Sequence, residues 1–176
     1  MPYKFIAIAA MIGCLGQSAH AQEAVPSVGR MSDIPDARER PDPTLDYKIV
    51  FDIRTSADAP GEVSPALRSV AALINTYRHY GVRPSHLHLA AVFHGATIVL
   101  LTDDATYKAR TGSPVNPNTA LLGELRRAGV NLMVCGQSAL AQGYDLAAIA
   151  KAAQINLSAT VTFINLQTRG YVKVEE

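Results

Sequence analysis

Between residues 47 and 174, short runs of consecutive apolar residues alternate with longer stretches whose apolar positions recur every three or four residues. Lys48 to Ile53, Leu87 to Phe93 and Val130 to Val134 are runs of the first kind. They read as strands buried on both faces. Leu67, Val70, Ala71, Ile74 and Tyr77 repeat at helical spacing, with Ser64-Pro65 as the start signal and Gly81 as the stop. Asn118 caps a second helix, which carries Leu121, Leu122 and Leu125 and ends at Gly129. Asp145 opens another, with Leu146, Ile149 and Ala150 on one face, and Tyr171 to Val174 is a last short strand. Thr97 to Thr102 and Ser158 to Gln167 fit either a strand, by their β-branched residues, or a helix, by their flanking signals. Doubly apolar strands separated by helices predict an α/β domain, with a parallel sheet and helices on both sides.

The pattern fails at the N-terminal end. Lys4 is followed by an apolar stretch from Phe5 to Leu15 and then by Ala19-His20-Ala21. This is the order of a secretory signal, so residues 1–21 are expected to be removed. The stretch is too short for a stable membrane span. A buried N-terminal strand or helix is the bland alternative. Lipoprotein processing at Met11-Ile12-Gly13-Cys14, with the lipid on Cys14, is another. Either export route makes the mature protein periplasmic or secreted. Residues 22–46 carry Pro26, Pro35, Pro41 and Pro43, and read as a linker or as an arm on a neighbouring subunit, the spacer being the simpler reading. The folded domain is expected over residues 47–176.

Composition narrows the partners. The formal net charge is +1 and aromatic residues make up 6% with no Trp, which argues against a nucleic-acid surface. No second long apolar run suggests a membrane span.

Cysteine changes the picture more. The chain has two, Cys14 and Cys135. Loss of the signal leaves Cys135 alone, so no internal disulfide can close. A lone thiol in an oxidising compartment is either a buried filler or a nucleophile. In an open α/β sheet, ligands sit beyond the carboxyl ends of the strands. That edge receives Arg54 and Thr55 from the first strand, His94 and Gly95 from the second, and Cys135, Gly136 and Gln137 from the third. Cys135 and His94 should therefore share one edge. A helix expected near Ser138 would aim free N–H groups and its positive end at the sulfur, which lowers a thiol pKa. Gly136 permits close backbone approach. A packed strand-end cysteine and a histidine that only bonds a loop are the bland alternatives. His86 and His88 form an H-x-H pair, but two ligands do not make a metal site. No P-loop, G-x-G-x-x-G, G-x-S-x-G or C-x-x-C is present.

The run Ala128-Gly129-Val130-Asn131-Leu132-Met133-Val134-Cys135-Gly136-Gln137 resembles the cysteine segment of the DsrE/DsrF-like (DsrE/YchN-like) sulfur-relay family. Ala91 to Ala96, Asn116-Pro117-Asn118 and Leu166 to Tyr171 follow the same family in the same order, so the resemblance spans the whole mature domain. The exported branch is the nearest in kind. The resemblance implies a three-layer α/β/α fold with a mainly parallel sheet of about five strands, and it favours helix for both ambiguous segments. It implies a homo- or hetero-oligomer, often a trimer or hexamer, and a sulfur donor or acceptor protein as partner; no cofactor is expected. In sulfur-relay members the cysteine at the position of Cys135 takes up sulfur as a persulfide. Cys135 is thus the expected catalytic or carrier residue, with His94, Gly95, Gly136, Gln137, Asn118 and Arg54 around the pocket. The chain also departs from the pattern. Where relay members carry Arg-Arg-Gly it reads Ala141-Gln142-Gly143, and Ser138 stands in place of a second cysteine.

Overall fold

The computed structural model describes residues 23–149 and 151–176; the expected signal segment, Cys14 and Ala150 lie outside them. Five strands form one sheet: β1 (Tyr47–Ile53), β2 (Leu87–Phe93), β3 (Val130–Cys135), β4 (Gln154–Asn156) and β5 (Val172–Glu175). Their spatial order is β4-β3-β2-β1-β5, and every neighbouring pair is parallel. The α/β class, the five strands and the parallel sheet all match the expectation.

The helices are α1 (Pro65–His79), α2 (Asp104–Thr111), α3 (Thr119–Arg127), α4 (Gly136–Ala141), α5 (Leu146–Ile149) and α6 (Ala159–Thr168). From β1 to β4 the chain steps in one direction across the sheet, and it reverses once to reach β5. Right-handed crossovers then place the helices of the forward steps on one face and α6 on the other. Core packing follows this division. Ile49, Phe51, Ile53, Leu89, Ala91, Phe93, Leu132 and Val134 pack with Leu67, Val70 and Ile74 of α1 and Leu121 and Leu125 of α3. The alternate residues Val50, Ala90, Val92 and Met133 pack under Leu166 and Phe163 of α6. Phe51, Phe93, Leu67, Ile74 and Leu125 are all fully buried or nearly so, each side chain contributing roughly 1.5–3 kcal/mol.

Both ambiguous segments are helical. Gly95–Leu101 forms 3-10 turns that bury Thr97, Ile98, Leu100 and Leu101. Ser158 starts α6, its Oγ accepting the Val161 N–H at 3.1 Å, and Gly170 (φ 87°) lies just beyond its end. Two expected caps work differently. Ser64 makes no side-chain cap; its hydroxyl donates to the Thr55 carbonyl (3.0 Å) and its N–H to Asn118 Oδ1 (2.8 Å). The Asn118 side chain is therefore occupied in bridging the starts of α1 and α3 rather than capping its own helix. Pro65 is what remains of the start signal for α1.

Residues 23–46 contain no helix or strand, and they lie on the domain itself. Val25 is fully buried. The buried Asn75 of α1 accepts the Val25 N–H (2.9 Å) and donates to the carbonyls of Val25 (3.0 Å) and Val28 (2.6 Å). Among the described residues no helix is long and apolar enough to cross a membrane.

Candidate functional site

Side chains alternate across a strand, so parity assigns each residue a face. Asp52 of β1, Cys135 of β3, Asn156 of β4, and Lys173 and Glu175 of β5 all belong to the α6 face. His94, one residue beyond β2, and Arg54, one beyond β1, continue the same parity. Phe93 pairs with Val134 and Cys135 with Asn156, so His94 and Cys135 are the next neighbours in register at the carboxyl edge. The shared edge expected for these two residues is the one observed.

Cys135 is both the last residue of β3 and the N-cap of α4, which begins at Gly136 rather than near Ser138. Its sulfur accepts the Ser138 N–H at 3.3 Å. The residue is buried, 5% exposed, and is the free cysteine among the described residues. Burial pushes the thiol up. Hydrogen bonds from Ser138, together with the N–H groups of Ala159 and Gln137, outweigh it and hold the thiol below its ordinary value. The Ala159 N–H belongs to the first turn of α6, so the starts of two helices converge on the sulfur.

Gly136 has a structural requirement. A Cβ there would lie 2.8 Å from the Asn156 carbonyl oxygen. The group that approaches Gly136 closely is the chain's own β4, not the binding partner expected there. Gln137 is exposed, and its N–H donates to the Leu157 carbonyl at 3.2 Å. Gly95 adopts φ 53°, a backbone conformation suited to glycine, as the chain turns away after His94. Its carbonyl accepts from the side chain of Gln142 at 2.9 Å, tying the β2 edge to α4.

The other half of the site is a charged cluster. Asp52 is buried, and its Oδ1 lies 2.7 Å from His94 Nε2. Its Oδ2 accepts from Lys173 Nζ at 3.1 Å. Lys173 also pairs with Glu175 (2.9 Å), and Glu175 with Arg54 (3.0 Å). The two carboxylates, Glu175 first, hold the Lys173 ammonium above its ordinary value. The Phe163 ring meets His94 edge to face at 6.4 Å and lies 5.2 Å from Lys173 Nζ. Two cavities flank α6. One, of about 470 Å³, is lined by Asp52, Arg54, His94, Phe163, Gln167 and Lys173 among others. The other, of about 430 Å³, is lined by residues of β3, β4 and α6 including Met133, Asn156 and Leu157. Cys135 lines neither; the first turn of α6 roofs its sulfur.

Of the sequence-predicted residues, Cys135, Gly136, Gln137, His94, Gly95 and Arg54 gather at this edge. Asn118 does not join them: it is fully buried, bonded to Ser64 and Asn116, and lines neither cavity. Asp52 and Lys173 escaped sequence reasoning. The available signal was a lone acid inside the buried strand Tyr47–Ile53, a position where carboxylates are rare unless paired. His86 bonds Arg83 and the Leu45 carbonyl, and among the described residues no three His, Cys, Asp or Glu side chains cluster as metal ligands.

Residues 48–174 match the sequence model of the DsrE/DsrF-like family. Among solved structures the chain is similar to the protein of unknown function MTH1491 from Methanobacterium thermoautotrophicum, at 20% identity and a TM-score of 0.49, covering 74% of this chain and 100% of that one. Comparison with curated proteins found no match.

Proposed function

The chain belongs to the DsrE/DsrF-like family, and from that premise we propose that it is an exported sulfur-handling protein in which Cys135 carries sulfur as a persulfide. The observation that carries this reading is the sulfur's setting. Cys135 ends an inner strand at the carboxyl edge of the sheet, and against the upward push of burial the Ser138 side chain, with backbone N–H groups from α4 and α6, holds its pKa down. A thiolate is the form that attacks sulfane sulfur. The order of charged, apolar and Ala-His-Ala segments in residues 1–21 supports export to the periplasm.

The protein acts as a homo-oligomer in this proposal, a trimer or hexamer, with a sulfur donor or acceptor protein as its second partner. The exposed apolar side chains of Leu157 and of Val161 and Ile164 on α6 support a covered surface there. Mass spectrometry of the mature protein after exposure to polysulfide or thiosulfate tests the carrier role. If Cys135 gains no sulfur while small thiols in the same mixture do, the role is lost.

The burial of Cys135 favours a second reading, in which the oligomer is a non-catalytic binding module for a small ligand or a protein and the cysteine only packs. Cys135→Ser separates the two. Retained ligand binding and phenotype favour the module; loss with intact folding favours thiol chemistry.

A further inference from the structure

On the α1 side of the sheet, between α3 and α5, lies a cleft of about 460 Å³ whose lining includes neither Cys135 nor the charged cluster. Its size is that of a small-molecule site. Side chains of the core make its floor: Leu100, Leu101, Leu122 and Ile149 are all buried. Gly123 of α3 lines one wall. A glycine in the middle of a helix costs stability. Nothing around Gly123 requires one, since a Cβ there would meet only the end of the Arg127 side chain, at 3.5 Å. What the missing side chain does is keep the cleft wide.

The polar groups of the rim divide into spent and unspent. Thr102 Oγ1 donates to the Val99 carbonyl (2.7 Å), Thr119 Oγ1 to the Asn116 carbonyl (3.2 Å), and the Arg126 guanidinium to the Ala152 carbonyl. Asp103 Oδ1 accepts the Thr106 N–H (2.8 Å) and Asp145 Oδ1 the Ala147 N–H (2.9 Å), each at a helix start. Both carboxylates keep accepting capacity beyond those bonds. The Thr106 N–H and hydroxyl, and after them the Lys151 charge, hold the Asp103 carboxyl below its ordinary value. The Tyr144 ring is fixed by Arg110, whose guanidinium lies 4.4 Å from the ring centroid and bonds the Gln142 and Gly143 carbonyls (2.8 and 3.2 Å). Burial holds the Tyr144 phenol above its ordinary value, so it is a donor. Among the described residues, neither the Tyr144 hydroxyl nor the Lys151 ammonium has a hydrogen-bond partner. The unspent groups are therefore donors that suit a carboxylate and carboxylate oxygens that suit an ammonium, set around an apolar floor.

We propose that this cleft binds a small zwitterion with an apolar body, of the class of an apolar α-amino acid, at a site separate from Cys135. The ligand's carboxylate meets Lys151 and the Tyr144 hydroxyl, and its ammonium meets Asp103 and Asp145. Its side chain lies over Leu122 and Ile149 in the room left by Gly123. A plain carboxylate would leave the two aspartates facing an anion, and a plain amine would leave Lys151 facing a cation. The site is independent of the carrier reading and stands even if Cys135 takes up no sulfur.

Calorimetric titration of the mature protein with probes of one shape tests this: L-phenylalanine, hydrocinnamate, which lacks the ammonium, and phenethylamine, which lacks the carboxylate. L-Phenylalanine is expected to bind with a dissociation constant under about 1 mM, and each of the others at least about 10-fold more weakly. Lys151→Gln is expected to weaken L-phenylalanine about 10-fold and phenethylamine not at all. Gly123→Leu fills the cleft, so binding should be lost while the thermal midpoint holds or rises, leucine being the better helix former. Ala148→Phe, at an exposed position on the α5 wall, blocks the mouth without touching the core and should also abolish binding. No binding of L-phenylalanine up to about 10 mM, or equal affinity for the zwitterion and either truncated probe, would overturn the proposal. So would wild-type affinity for L-phenylalanine in Lys151→Gln, in Ala148→Phe or in a folded Gly123→Leu.

Discussion

The two faces of the sheet are built to different standards. On one, α1 and α3 close over alternating large side chains, and the buried polar groups there, Asn75, Asn116, Asn118 and Ser64, are bonded within the chain. On the other, α6 packs over Val50, Ala90, Val92 and Met133, flanked by two cavities, and the strand ends on that face carry Asp52, His94 and Cys135. The first face is a closed apolar core, and the second is where the proposed function places the chemistry. A carboxylate in a strand would be costly on the first face. On the second it has Lys173 and His94 as partners and an opening to water.

The largest test of that division is a matched pair of truncations. Val134→Ala on the α1 face is expected to cost about 2–3 kcal/mol, whereas the equally buried Val92→Ala beneath α6 costs roughly 1–2 kcal/mol, both measured by denaturant unfolding. Equal losses would mean that the two faces carry the fold alike. Gly136→Ala comes next. Its Cβ meets the Asn156 carbonyl, a backbone group that cannot swing away, and the expected loss is about 1–3 kcal/mol with faster labelling of Cys135 as α4 lifts from β4. Smaller again is Ser138→Ala. Stability should hardly change, but the rate of Cys135 alkylation against pH should move to higher pH, because a hydrogen bond that favours the thiolate is lost. An unmoved profile would assign the lowered pKa to the backbone N–H groups alone. Ile164→Lys, on the exposed side of α6, is expected to change monomer stability by no more than about 0.5 kcal/mol. Light scattering should nonetheless show smaller assemblies if copies of the chain cover that helix.

The same contrast explains which parts of the chain were legible in its sequence. β1, β2, β3, α1 and α3 are doubly buried strands and amphipathic helices of the well-packed face, and their boundaries follow the apolar pattern within a residue or two. α2 and β4 are not legible in that way. α2 buries only Tyr107, so no apolar stripe marks it, although Asp103 caps its start and Gly112 (φ 83°) ends it. β4 is three residues long, too short for any period to show. α6 is apolar around much of its circumference, because it meets the sheet on one side and presents Val161 and Ile164 on the other, which blurs the helical period into a strand-like run. At the site, Cys135, His94 and Arg54 were readable as strand ends. Asp52 and Lys173 were not, since their value comes from a contact 121 residues apart that no local pattern encodes. Asn118 looked like a cap and a pocket residue, and became a strut between two helices.

β5 runs parallel to its neighbours, so its end reaches the same rim as Cys135. The backbone of Glu176 is held there from both sides, its N–H donating to the Asp52 carbonyl (3.0 Å) and its own carbonyl accepting the Arg54 N–H (2.7 Å). Whatever is joined after Glu176, an affinity tag or a fused reporter, therefore emerges beside Asp52 and Arg54, next to the cavity that holds His94. The Val25 anchor lies on the α1 side of the sheet, away from that cavity. For assays of thiol reactivity the position of a tag is itself a perturbation, and a handle placed ahead of residue 23 is the one that leaves the rim clear.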